Sequence, residues 1–243
     1  MTAIVAVAWL LVSIIGGVTA AIAGFGIGSI LTPILGTRYS IADAILAVSI
    51  PHAVATAFRC WRLRRSIRTD LLRGFGIASA AGGLAGAFLL LRYQSSAALV
   101  LAILLIATGI GGLTKWNQRI EPGRMASRIL GALSGLFGGM AGNQGGLRAA
   151  ALMTYSLTPA QFVATSTAVG LMVDAGRLPV YLAKSDGRMM TLAIPIAIAT
   201  AGVLLGTILG ERVLFSLSRD RFRQVISVLI LSLGAWLLLR QLA

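Results

Sequence analysis

Eight apolar stretches, each long enough to cross a bilayer, constrain this chain more than any motif in it. A helical span takes about 20 residues at 1.5 Å rise to traverse a hydrocarbon core of about 30 Å. The stretches run from Ala3 to Leu35, Ile41 to Phe58, Leu71 to Leu91, Ala97 to Thr114, Ile129 to Tyr155, Ala160 to Ala183, Met189 to Gly210 and Phe222 to Leu239. Only 12% of the 243 residues are charged, against about 25% in an ordinary soluble chain. The expected fold is an all-α polytopic membrane protein, and a soluble single-domain enzyme is excluded. The opening MTAIVAVAWLLVSIIGG lacks the basic flank of a cleaved signal, so it reads as the first membrane element.

Basic residues outnumber acidic ones 21 to 7, for a formal charge of +14. In a soluble domain that excess points to nucleic acid, but here the arginines punctuate the ends of apolar segments instead of lining one polar face. No nucleic-acid partner is expected. One cysteine, Cys60, and one histidine, His52, exclude an intrachain disulfide and any cysteine or histidine metal cluster, so neither metal nor cofactor is expected.

The first and fifth stretches exceed a single span, and each is interrupted by a glycine-rich run, AGFGIG at Ala23 to Gly28 and GGMAGNQGG at Gly138 to Gly146. Sliding the chain on itself by 118 residues superposes Gly17 on Gly135, Gly24 on Gly142, Gly28 on Gly146, Ser49 on Thr167 and Arg59 on Arg177. Further on, an offset of 120 lays Gly82 and Gly86 on Gly202 and Gly206, a small-residue face for close helix packing in each half. The pattern reads as two membrane repeats, residues 1–114 and 129–243, joined by a basic loop at 115–128. Internal repeats of this kind are a habit of transporters.

Charge distribution gives the orientation. If the broken first and fifth stretches enter and return on the same side, fourteen basic residues gather on one face, namely those within Arg59 to Arg73, Lys115 to Arg128 and Arg212 to Arg223. Five, Arg38, Arg92, Lys184, Arg188 and Arg240, remain on the other. The positive-inside rule makes the crowded face cytoplasmic and leaves both termini outside. The second repeat is then inverted with respect to the first, and the first segment of each, of about four, is broken or re-entrant.

Irregular backbone at membrane depth must be buried in protein or line a cavity. The second break offers the amides of Gly139 to Gly146, including Gly145, and the side-chain donors of Asn143 and Gln144. A half-helix starting near Leu147 would aim its positive end at the gap, with Arg148 in its first turn. The planar guanidinium suits carboxylate, sulfonate or sulfite oxygens. The first break supplies Gly24, Gly26 and Gly28. Packing alone explains glycines, but not Asn143 beside Gln144 between them.

Further polar residues lie inside the second and sixth stretches. Ser49 and His52 share a helical face beside Pro51, and Thr165, Ser166 and Thr167 occupy the matching part of the second half, followed by Asp174 and Arg177 one turn apart. Ionisable groups at this depth are functional candidates, although hydroxyls often bond to their own helix, and Asp174 with Arg177 also reads as an internal ion pair. His52 and Asp174 are the candidates for carrying a coupling proton. Asp43 after Ser40 reads as a helix-start device. A serine hydrolase built on Ser49 and His52 is disfavoured, because no GxSxG elbow or oxyanion hole accompanies them.

The duplicated break, the run LSGLFGGMAGNQGG followed by AAALMTYSLTPAQFVATSTAV, and the later DAGRLPVYLAKSDG resemble the TauE/SafE sulfite exporter family over nearly the whole chain. The resemblance implies a multi-pass permease of the bacterial inner membrane handling sulfite, sulfoacetate or a related small anion. It points to Gly24 to Gly28, Gly142 to Gly146 and Ala164 to Thr167 as the substrate path. The first half departs from the pattern, with ILAVSIPHAV where the second half has its Thr-Ser pair. The expected function is secondary transport of a small anion across the lipid bilayer, bound by Arg148, Asn143 and Gln144. An anion pore and a non-transporting membrane assembly partner are the alternatives.

Overall fold

The structure is a computed structural model that describes residues 3–114, 122–141, 144–183 and 188–242. Its elements are α1 (Ala3–Ala23), α2 (Ile27–Leu35), α3 (Ile41–Arg62), the short α4 (Thr69–Leu71), α5 (Ile77–Leu113), α6 (Arg124–Ala141), α7 (Gln144–Leu152), α8 (Pro159–Ala183), the single turn α9 (Arg188–Thr191), α10 (Ala193–Ser216) and α11 (Arg219–Leu242). A π-helical turn, Leu72–Gly76, leads from α4 into α5. Among the described residues four helices, Ala3–Ala23, Asp43–Arg62, Ala193–Ser216 and Arg219–Leu239, are long and apolar enough to cross a membrane. Large apolar side chains such as Ile4, Met190 and Leu239 point outward, more than 60% exposed. That is the surface lipid requires.

Local chemistry accounts for the ends. Gly24 and Gly26 hold φ of 73° and 131°, which stops α1 at Ala23 and lets α2 start afresh at Ile27. Ser40 caps α3, accepting from the Asp43 amide at 3.1 Å while donating to its carboxylate at 2.7 Å, as the sequence leads one to expect.

In lipid, helices gain little from burying apolar area against one another, so close backbone approach decides their packing. Gly17 of α1 lies on Val203 of α10, and Gly206 of α10 lies on Ile14 and Val18 of α1. In the other half Gly135 of α6 lies on Ser79 of α5, and Gly82 of α5 on Ala132 and Leu136 of α6. The two interfaces use the same contacts. Ile14 and Val18 precede Ala132 and Leu136 by 118, as the repeat expects, but Gly82 corresponds to Gly206, an offset of 124. The expected match of Gly82 with Gly202 is therefore one helical turn out.

These contacts also give direction. Trp9 donates to the Pro195 carbonyl at 2.9 Å near the start of both helices, and Gly210 reaches Val18 and Ala21 near their ends, so α1 and α10 run parallel. The last turns of α3 and α10 meet where Arg62 Nε lies 2.6 Å from Glu211 Oε2. After Gly24 and Gly26, α2 packs back on α1, with Ile27 and Leu31 against Gly16. The α1–α2 pair thus folds back on itself as a helical hairpin.

The third and fourth expected segments fall in one helical element, α5, whose middle, RYQSS at Arg92 to Ser96, holds neither glycine nor proline. A straight helix of 37 residues would be about 55 Å long. Gly74, just ahead of it, nevertheless lies against Ser127, a neighbour of Tyr155, while Gly112 at its far end lies against Met153, two residues from Tyr155. The stretch therefore doubles back between Gly83 and Ala102, and its two arms occupy the places of the two expected spans. Its second arm packs on α11, with Gly109 on Leu231 and Gly234 on Ile106.

Arginines close the end where the arms finish. Arg223 donates to the carbonyls of Gly112 and Met153 at 3.4 and 3.5 Å, Arg219 to that of Leu157 at 3.2 Å, and the Arg68 amide to Thr165 Oγ1 at 3.1 Å. The exposed Arg68 guanidinium grips Asp70, which lowers the Asp70 pKa below the usual carboxylate range.

Candidate functional site

The first break meets α7 and α8 of the other half. Phe25, between the positive-φ glycines of that break, is buried against Gly145 of α7, where an added Cβ would collide with the Phe25 Cβ. Gly24 lies against Ser166 of α8, and the Ser166 hydroxyl donates to the Gly24 carbonyl at 3.3 Å. That carbonyl is freed by the end of α1, and Ser166 satisfies it without water.

Arg148 sits on the other side of Ser166. Its Nε donates to Ser166 Oγ at 3.1 Å, and the residue is only 5% exposed. A Cβ at Gly170 would come within 3.1 Å of Nη2, so glycine there makes room for the guanidinium. Ser166, Gly170 and Asp174 follow at intervals of four and form one face of α8. On that face Asp174 Oδ2 lies 2.6 Å from His52 Nδ1 of α3. The α7 half-helix begins at Gln144, not near Leu147, so Arg148 belongs to its second turn and reaches sideways onto α8. Glycines at 145 and 146 extend the helix where the sequence reads as a break.

The remaining expected residues divide. Thr165 points to the Arg68 amide, a quarter-turn away from Ser166, and helps hold the basic loop. The hydroxyl of Thr167 is buried and has no hydrogen-bond partner among the described residues. Ser49 donates to the Leu46 carbonyl at 2.7 Å, the local bond that serines often make within a helix. Gly26 packs on Thr19, and the Cα of Gly28 faces open space. Gly142 and Asn143 lie outside the described residues, as do the side chains of Gln144 and Arg177. The structure brings Asp174 to His52, while its expected pairing with Arg177 falls on a side chain outside the described residues.

One residue was misassigned from sequence. Arg59 counts among the loop arginines when the second segment is taken to end at Phe58, but α3 continues to Arg62 and leaves Arg59 3% exposed. Its charged neighbours are Arg148 and Asp174. The signal was present in the repeat, which lays Arg59 on the intramembrane Arg177. The same offset lays Arg148, Ser166 and Gly170 on Ile30, Val48 and His52. The cation, hydroxyl and gap of the second half thus have no counterpart in the first.

A buried guanidinium with a hydroxyl beside it, next to the break between α1 and α2, can hold an oxyanion through charge-assisted hydrogen bonds. Among the described residues no group of histidine, cysteine, aspartate or glutamate is placed to hold a metal ion. The family model for "Sulfite exporter TauE/SafE" matches residues 9–237. No curated protein and no solved structure matches the chain.

Proposed function

The chain belongs to the sulfite exporter TauE/SafE family, and we propose that it is a secondary transporter moving a small oxyanion, such as sulfite, sulfoacetate or a related sulfonate or carboxylate, across the bacterial inner membrane. The observation that carries this reading is Arg148, a buried cation tied to Ser166 where the first break meets α7 and α8. Buried charge without function is costly, and a guanidinium at this depth suits an anion in transit.

Alternating access follows from two inverted repeats, 1–114 and 129–243, rocking about the contact of the first break with α7 and α8. Three observations favour the inversion. Each broken helix packs parallel to the third span of the other half, α1 on α10 and α6 on the first arm of α5, through equivalent glycines. The α1–α2 pair folds back on itself as a helical hairpin. Arginines of each half bond to the other half at one end of the bundle, Arg68 through its amide to Thr165 and Arg223 to the Gly112 carbonyl, the cytoplasmic end by the positive-inside rule.

Export is the favoured direction. A negative interior drives an anion outward by about 2.3 kcal/mol per charge per 100 mV, so no coupling ion is needed. Import would need one, and His52 with Asp174 would carry the proton. Flux of labelled sulfite, sulfoacetate and acetate into proteoliposomes tests the reading. Sulfite flux that falls with Arg148→Ala supports it, and no flux for any of the three anions, or unchanged flux in that variant, refutes it.

A further inference from the structure

Arg59 is the least explained charge in the molecule. It lies in the last turn of α3, 3% exposed, and one of its nitrogens reaches Thr56 Oγ1 at a weak 3.4 Å. Its Nε and Nη1 are buried with no hydrogen-bond partner among the described residues. An arginine stays protonated in proteins, and a buried one is ordinarily paired, because an uncompensated buried charge costs several kcal/mol. Arg59 faces another cation, Arg148, and one anion, Asp174, which is engaged with His52.

The charges do not balance. Among the described side chains Arg59 and Arg148 supply two positive charges and Asp174 one negative, which leaves one positive charge when His52 is neutral and two when it is protonated. Buried like charges repel strongly at low dielectric. A ligand with negative charge and several acceptor oxygens would answer both the excess charge and the unused Arg59 donors.

We propose that Arg59 is the second cation of the anion site, so that the transported oxyanion is held between one arginine from each half, Arg59 on α3 and Arg148 on α7, and that the site thereby selects doubly charged oxyanions of the sulfite type over singly charged carboxylates. This rests on the reading of Arg148 as part of the anion path. A pyramidal, three-oxygen dianion such as sulfite offers acceptors to two guanidinium forks at once, whereas a carboxylate has two oxygens and half the charge. Contributions from both halves also tie the anion to their relative position, as a rocking carrier requires.

The test uses purified full-length protein and the variant Arg59→Gln. Thermal unfolding in detergent is followed with sulfite, with acetate and with chloride at matched ionic strength, and flux is measured in proteoliposomes. Removing an uncompensated buried cation should leave the anion-free protein as stable as the wild type or more so. It should abolish the stabilisation by sulfite and lower sulfite flux roughly 10- to 100-fold, the loss of a charged hydrogen-bond set, with a smaller effect on acetate. A structural role predicts the reverse, a lower melting point without anion, or failure to fold, and an equal loss for both anions; either result overturns the proposal. If Arg148→Ala abolishes sulfite flux while Arg59→Gln leaves it unchanged, the role of Arg59 falls and the anion path stands. If the wild type carries no anion and gains no stability from any, the functional reading itself falls.

Discussion

His52 Nδ1 on α3 and Asp174 Oδ2 on α8 stand 2.6 Å apart, joining helices 122 residues distant in sequence. Asp174 is the more buried partner, with 9% of its side chain exposed against 23% for His52. Breaking the pair from one side strands the other group. His52→Ala and Asp174→Ala should each destabilise the protein by about 1–3 kcal/mol, and the double variant by clearly less than their sum, a coupling on the order of 1 kcal/mol. Thermal unfolding of the four proteins in one detergent measures it, and strictly additive losses would show that the contact contributes nothing.

Ser166 serves two partners, the Gly24 carbonyl and Arg148 Nε. Ser166→Ala leaves both unanswered in a buried place, and each unmet group costs about 1–3 kcal/mol. The expected outcome is weaker sulfite binding, seen as a KM raised several-fold, together with a lower melting point. A KM equal to that of the wild type would separate Ser166 from the anion path.

Gly206 and Gly28 make a matched contrast. A methyl group at Gly206 would run into the Ile14 carbonyl, while at Gly28 nothing lies within 4 Å. Gly206→Ala should therefore cost about 1–3 kcal/mol by overpacking and reduce the yield of folded protein, whereas Gly28→Ala should melt with the wild type. Comparable melting points for the two variants would contradict the glycine-mediated packing of α1 on α10.

Orientation is checked by thiol labelling after Cys60→Ser removes the native cysteine. Arg38→Cys should react with an impermeant maleimide in intact cells and Arg221→Cys only after the membrane is opened. Labelling of both from the same side is the outcome that sinks the inverted arrangement.

Much of this architecture is written in local sequence. Positive-φ glycines and the apolar run lengths announce the first break, and Ser40 with Asp43 announces the start of α3. Side-chain periodicity is silent on the rest. Gly145 and Gly146 look like a break because glycine disfavours helix, yet they are helical, with Phe25 packed on Gly145 and two leucines on Gly146. RYQSS gives no turn signal, so only contacts at both ends of α5 reveal that it doubles back. Arg59 was hidden for another reason. An arginine one residue beyond a notional span end looks like a topology signal, and only the continuation of α3 shows that it is buried. Partners 122 residues apart, such as His52 and Asp174, are brought together by tertiary packing that no local pattern encodes.

The seating of Phe25 against Gly145 bears on the ancestry of the chain. Each break is completed by a residue from the opposite half, so neither half alone would cover its own interrupted backbone. On the inverted-repeat arrangement proposed above, an ancestor of half this length would have worked as a pair of copies inserted in opposite orientations, with its positive charges too evenly spread to favour either one. Fusion through a basic linker would have fixed one copy each way and released the two halves to diverge. Arg148, Ser166 and Gly170 on one side, facing Ile30, Val48 and His52 on the other, are what that freedom would leave behind.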